Sequence, residues 1–154
     1  MDVTRAKYRS KIDLSNAYEQ VWIEPEDVWK MAFTMIYGTF NSQVMQQGDC
    51  NAHVMFQCLM TVIFRDHIGR CIYVYLDNIF IYSDTLEDHE RHLRIVFNKL
   101  KKVDFYLEQE KCDLYAEKPD CLGHIIDHKG IHTNRDKMSW ICSWRMPKSL
   151  NEVQ

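Results

Sequence analysis

Two runs of β-forming residues meet in the stretch CIYVYLDNIFIYS, from Cys71 to Ser83. Ile72 to Tyr75 lead up to Leu76, an Asp77-Asn78 pair follows, and Ile79 to Tyr82 resume the apolar pattern. Apolar β-formers on either side of a short polar break predict a tight hairpin with Asp77-Asn78 at its turn. A hairpin this apolar needs neighbours, so the chain must build a sheet around it. The hairpin also carries a carboxylate at its tip, beside an amide that stands where a second acid could be.

The flanking segments predict the rest of that sheet. A short strand covers Arg9–Asp13. YEQVWIEP alternates and reads as a second strand, stopped by Pro25. KMAFTMIYGTFNSQVM reads as a hairpin turning near Gly38. CNAHVMFQCLMTVIFRDHIG carries Val54, Met55, Leu59, Val62 and Ile63 at helical spacing, with Gly69 past its end, and reads as a helix. SDTLEDHERHLRIVFNKLKKVD opens with Asp84 three residues before Glu87, a capping-box-like start. Leu86, His89, Leu93, Val96, Phe97 and Leu100 form its apolar stripe, with His92 towards solvent. FYLEQEKCDLY reads as a strand, and CLGHIIDHKGIHT as a hairpin with Lys129-Gly130 at the turn. TNRDKMSWICSW reads as a short helix capped by Thr133. SLNEVQ starts another with a Ser149/Glu152 capping box, as in a piece of something longer.

With the hairpin near Gly38 set aside, the order is β-α-β-β-α-β. This is the ferredoxin-like split βαβ order, in the α+β class. In that topology the first strand and the apolar hairpin lie side by side. Asp13, ending the first strand, then comes close to Asp77.

Composition bounds the function. The 154 residues suit one domain, and 46% hydrophobic content supports a core. A formal net charge of −3 gives no global attraction for nucleic acid, so such contacts must be local or supplied by partners. No apolar run reaches the roughly 18 residues of a membrane span. The N-terminus lacks a signal-peptide h-region, so the expected compartment is the cytoplasm or nucleus. The six cysteines form no CxxC pair and read as free, mostly buried thiols.

Two acids on adjacent strand ends can hold a pair of divalent cations ~3.5–4 Å apart for nucleotidyl transfer. Magnesium suits oxygen ligands and keeps room for substrate phosphates. The structural alternative is that Asp13 caps the turn at DLSN and Asp77-Asn78 is an ordinary type I′ turn.

Five blocks narrow the choice. KIDLSNAYEQVWIEPED, VMQQGDCNAHVMFQCLM, YVYLDNIFIYS, HERHLRIVFNKL and CLGHIIDHKGI together resemble the reverse transcriptase of gypsy-type LTR retrotransposons, a transposable-element RNA-directed DNA polymerase. The resemblance runs from about Tyr8 to Gln154, with the blocks in family order. It implies one partial domain over residues 1–154: a polymerase palm, part of the fingers and a primer-grip hairpin. The outer fingers, thumb, connection and RNase H regions of the polyprotein would be absent. It implies template, primer and dNTP as partners, and two Mg²⁺ ions held by Asp13 and Asp77.

The resemblance also assigns roles. Asp77 matches the first acid of the Tyr-X-Asp-Asp box, here Tyr75-Leu76-Asp77-Asn78. Tyr18 matches the aromatic gate that rejects a 2′-hydroxyl. Gln47 and Gly48 match the segment that contacts the nucleotide and template. Lys111 falls at a basic position near the pyrophosphate. Leu122, Gly123 and His124 match the primer-grip turn.

The departures carry equal weight. Asn78 replaces the second acid of the box, so two carboxylates stand where the family has three. His53 stands where the family has a proline after Asn-Ala, and Trp22 and Met31 also depart. With the thumb absent, the box altered and a net charge that suggests no strongly basic groove, the resemblance implies weak activity or none for this chain by itself. A non-catalytic nucleic-acid or protein-binding module on the same fold, or a decayed element, remains open. The His89/His92 pair and the Cys112, Cys121, His124, His128 group lack a zinc-site spacing.

Overall fold

The computed structural model describes residues 5–117, 119–127 and 130–149. In chain order the elements are β1 (Tyr8–Asp13), β2 (Ala32–Met35), β3 (Gly38–Asn41), α1 (Ala52–Phe64), β4 (Ile72–Tyr75), β5 (Asn78–Ser83), α2 (Leu86–Lys102), β6 (Asp120–Cys121), β7 (His124–Asp127), β8 (Gly130–Thr133) and α3 (Arg135–Ser143). The first sheet has the order β1-β5-β4, all antiparallel. Isolated bridges Leu14–Leu107 and Lys11–Asp113 run along the far edge of β1. They occupy the place of the last strand of a ferredoxin-like βαββαβ unit. The segment read as a strand in FYLEQEKCDLY is thus two bridges around a 3₁₀ turn at Gln109–Lys111.

β5 is the central strand, and its residues from Ile79 to Ser83 are all buried. Alternation divides the sheet into two faces. Ile12, Ile72, Ile79 and Ile81 join Phe56, Met60 and Phe64 of α1 and Leu93, Val96 and Leu100 of α2 in one apolar core. Arg9, Lys11 and Asp13 alternate with these and belong to the opposite face. The register places Asp13 directly opposite Asn78.

Several local expectations are corrected. The two-residue turn is Leu76-Asp77, and Asn78 already pairs with Tyr75 as the first residue of β5. Leu76 takes the positive φ, 52°, so the strands close one residue earlier than Asp-Asn chemistry suggests. YEQVWIEP is not a continuous strand: Trp22 makes a single antiparallel bridge to Val44, with the Met45 N–H donating to the Val21 carbonyl. Asn16, at φ 43°, turns the chain left-handed after β1, and 3₁₀ segments follow at Ala17–Gln20 and Pro25–Met31.

Helix α1 buries Ala52, Phe56, Met60 and Phe64, whereas Val54, Met55 and Val62 are exposed. The helix is apolar on more than one side, and packing against β4 chose the other stripe. It ends at Phe64, so Gly69, at φ 78°, lies in the connection to β4 rather than at the helix cap.

In α2 the cap is Thr85, which accepts from the Asp88 backbone N–H, one residue later than the expected Asp84-Glu87 box. Leu86 and Phe97 are exposed, and His89, Leu93, Val96 and Leu100 form the buried stripe. Asn134, not Thr133, caps α3 by accepting from the Asp136 N–H. The cysteines are free but not mostly buried: only Cys71 is, while Cys50, Cys58 and Cys142 are exposed.

The hairpin near Gly38 forms as β2–β3, turning at Ile36-Tyr37. β6, β7 and β8 make a separate sheet. In the expected Lys129-Gly130 turn, Gly130 begins β8 and Lys129 lies outside the described residues, as does Glu152 of the Ser149/Glu152 box. Among the described residues, no helix is long and apolar enough to cross a membrane.

A buried polar chain ties the elements together. His89 is fully buried, with Nε2 2.8 Å from Ser10 Oγ and Nδ1 3.0 Å from Ser83 Oγ. The Tyr115 N–H donates to the same Ser10 hydroxyl at 2.9 Å, and His92 Nδ1 lies 2.8 Å from Ser83 Oγ. Burial, with His92 adding to it, pushes the His89 imidazole down to about 4. An unfolded histidine protonates near 6.5, so between these values the unfolded state binds more protons. The stability due to this group is full above about pH 6.5 and is lost as pH falls towards 4. Urea unfolding is expected to lose about 2 kcal/mol from about pH 6.5 to about pH 5, and His89→Gln to flatten that slope. A flat profile in the parent chain would show that His89 is not held neutral.

Candidate active site

Asp13 ends β1 and is only 8% exposed. Lys11, two residues back on the same face, places Nζ 3.6 Å from Asp13 Oδ2. The Asp13 backbone is clamped from the 3₁₀ segment. Its carbonyl accepts from the Glu108 N–H at 3.0 Å, and its N–H lies 3.5 Å from Cys112 Sγ. The next residue reaches the hairpin, with the Leu14 N–H donating to the Asp77 carbonyl at 3.2 Å. The two acid-bearing backbones are therefore hydrogen-bonded neighbours.

Asp77 is half-buried at the hairpin tip, and the Asn78 side-chain amide donates to its Oδ1 at 2.8 Å. Directly opposed residues of an antiparallel pair project to the same face, so Asn78 shares its face with Asp13. Gln57 of α1 supports the tip from outside the sheet. Its Oε1 accepts from the Leu76 N–H at 2.8 Å, and its Nε2 donates to the Val74 carbonyl at 3.4 Å.

Asp13, Tyr18, Gln47, Asp77 and Lys111 line one cleft of about 270 Å³. Tyr18 is half-buried, with its ring 5.2 Å from that of Phe56. Burial raises its phenol pKa, and the charge of Asp77 adds to the shift. Gln47 is exposed, and its neighbour Gly48 takes φ 106°, which a side chain rarely adopts. Lys111 closes the 3₁₀ turn and is exposed.

Leu122, Gly123 and His124 do not line this cleft. They belong to the β6–β7 turn of the separate sheet, with Leu122 at φ 55° and Gly123 at φ 80°. The Gly123 N–H donates to Asp120 Oδ1 at 2.8 Å, and the Lys137 side chain lies over Gly123. His53, at the position noted as a departure, is exposed on α1. Among the described residues no three His, Cys, Asp or Glu side chains converge to hold a metal.

Sequence reasoning missed Lys11, Cys112 and Gln57. Lys11 was readable, since i and i+2 share a strand face. Gln57 gives a weaker signal, as a polar residue inside the apolar run VMFQCLM. Cys112 gives none, because its contact with Asp13 spans most of the chain.

The reverse transcriptase (RNA-dependent DNA polymerase) family matches residues 1–126. The chain belongs to the reverse transcriptase family. The Pol polyprotein of transposon opus from Drosophila melanogaster is 30% identical over 149 residues, 97% of this chain and 15% of that protein. The Pol polyprotein of Drosophila transposon 297 is 31% identical, covering 97% and 14%. The Tf2-7 polyprotein of Schizosaccharomyces pombe is 28% identical, covering 94% and 11%. The chain thus spans less than a sixth of the length of these relatives.

The foamy viral protease-reverse transcriptase in complex with RNA/DNA hybrid superposes with a TM-score of 0.88 at 27% identity, covering 97% of this chain and 20% of that one. Its counterpart in complex with double-stranded DNA gives 0.87, also at 27% identity, covering 97% and 26%. The fold is that of reverse transcriptase palm and fingers, in the expected α+β class.

Asn78→Asp removes the amide donor from Asp77 and adds a carboxylate across the strand pair from Asp13. In low-salt buffer with chelator this is expected to cost about 1–3 kcal/mol, much of it recovered in millimolar Mg²⁺. Thermal unfolding of both chains with and without Mg²⁺ checks it. A midpoint that responds to neither change would show that positions 13, 77 and 78 share no common field.

Proposed function

We propose that this reverse transcriptase chain is the palm, with part of the fingers, of an RNA-directed DNA polymerase from a gypsy-type LTR retrotransposon. Its chemistry is nucleotidyl transfer onto a primer 3′-hydroxyl. The observation that carries this reading is the shared cleft, in which Asp13 and Asp77 stand beside Tyr18, Gln47 and Lys111. Residues 1–154 form one partial reverse transcriptase domain that works with the thumb, connection and RNase H regions of a polyprotein. Template, primer and dNTP are its partners, a reading supported by neighbours whose structures hold RNA/DNA hybrid or double-stranded DNA.

The donor set fits Mg²⁺, because carboxylate oxygens are hard ligands and the cleft leaves room for phosphate oxygens. Asp13 and Asp77 would hold the ions, whose positive charge would make the attacking hydroxyl more acidic and offset charge on the leaving pyrophosphate. The remaining work falls to the protein. Asn78 orients the Asp77 carboxylate through its amide. Tyr18 excludes the 2′-oxygen of the incoming sugar by filling its space. Gln47 and Gly48 offer a polar turn, open to close approach, for the nucleotide and template. Lys111 offers an ammonium to charge developing at the leaving group. Leu122, Gly123 and His124 form the primer grip on their separate hairpin.

Asn78 sets the level of activity. It keeps an oxygen but lacks the charge of a second acid, so the isolated chain is at most weakly active. The same residue favours a second reading, a module that binds template and primer without extending it. Both readings are tested in a chimaera in which residues 1–154 replace the matching region of an active transposon polymerase. On poly-rA/oligo-dT the isolated chain is expected to show little or no extension. In the chimaera, Asn78→Asp is expected to raise the rate by about tenfold or more, and Asp77→Asn to abolish it. Equal rates with Asn78 and Asn78→Asp would make the second acid dispensable. A full rate with Asp77→Asn would remove the polymerase reading, and tight binding without extension in every variant would favour the module.

A further inference from the structure

The hairpin tip that carries Asp77 has an unusual backbone. Leu76 stands at φ 52°, a region that costs a branched, non-glycine residue roughly 1–2 kcal/mol. Such a conformation persists where the surroundings over-determine it. β4 is an edge strand of its sheet, and among the described residues its outer side carries an isolated bridge from Ile72 to Ile68 but no strand beside Val74 and Leu76. The Val74 carbonyl and the Leu76 N–H flank Tyr75 on that side. In an extended chain these two groups point the same way and accept a bidentate partner. The Gln57 side chain supplies it, with Oε1 accepting from the Leu76 N–H at 2.8 Å and Nε2 donating to the Val74 carbonyl at 3.4 Å. A primary amide can accept from the N–H with its oxygen and donate to the carbonyl with its nitrogen at once.

We propose that Gln57 is a positioning residue for Asp77: its side-chain amide acts as a surrogate strand that locks the left-handed Leu76 and so aims the next residue into the cleft. The inference rests on the reading of Asp13 and Asp77 as the metal-holding pair. It adds that helix α1, seated on β4 through its buried stripe, fixes the tip through one side chain. The opposite side of the tip is held by the Leu14 N–H bond to the Asp77 carbonyl. The turn is therefore gripped once from β1 and once from α1.

The test uses the 154-residue chain, labelled with ¹⁵N, and two readouts. The first is amide exchange at Leu76, compared with Tyr82, whose N–H bonds the Cys71 carbonyl deep in the sheet. The second is Mn²⁺-induced broadening at Leu14 and Asn78. Gln57→Met keeps the length of the side chain and removes both bonds. Gln57→Glu keeps the acceptor for the Leu76 N–H. Gln57→Met is expected to speed Leu76 exchange at least tenfold more than Tyr82 exchange and to weaken Mn²⁺ binding at least threefold. Gln57→Glu is expected to retain most of the Leu76 protection, a rescue that a purely space-filling role would not give. Unchanged Leu76 exchange in Gln57→Met, or equal loss of protection in both variants, overturns the proposal. Absence of Mn²⁺ broadening in the parent chain strikes instead at the metal-holding reading, and the exchange readout still decides whether Gln57 holds the tip.

Discussion

The pairing of β1 with β5 is the constraint on which the rest depends. Its register sets Asp13 against Asn78 and, one residue beyond, brings the Leu14 N–H to the Asp77 carbonyl. A slip of one residue would turn Asp13 into the helix-facing core and Ile12 into the cleft. Two features oppose that slip. Ile12, Ile79 and Ile81 fill the apolar side, and His89 bridges Ser10 of β1 to Ser83 of β5. The apolar residues choose the face, while the histidine chooses among registers, because only one alignment brings both hydroxyls to its ring.

Much of this arrangement was legible in the chain itself. The apolar hairpin, the first strand and α2 each carry one unambiguous period, and their order gives the ferredoxin-like core. The misreadings have physical causes. Helix α1 is apolar on two sides, and only contact with β4 selects Phe56 and Met60 over Val54 and Met55. YEQVWIEP alternates like a strand, but 3₁₀ turns at Ala17–Gln20 and from Pro25 leave a single bridge, Trp22 to Val44, between them. The turn residue is Leu76 rather than Asn78, because pairing and the Gln57 amide outweigh the local preference for Asn at positive φ.

The resemblance, rather than any local pattern, singled out the residues that the fold brings together. Asp13, Tyr18, Gln47, Asp77 and Lys111 come from four separate stretches and line one cleft. The supporting contacts were not legible. Cys112 beside the Asp13 backbone depends on how loops and helices pack, which no local pattern encodes, and Gln57 behind the tip shows only as a polar residue in an apolar run. Asn78 shows the reverse case, a departure plain in the sequence whose consequence depends on geometry. Its amide turns towards Asp77, so the position still serves one acid while no longer being one.

The internal pin and the cleft answer to different pressures. A change at Ser10, Ser83 or His89 alone strands a polar atom in the core, whereas a change at position 78 alters a partly open surface. The three pinned positions are therefore expected to tolerate change poorly one at a time, because each substitution leaves its partner's polar atom unmet inside the fold.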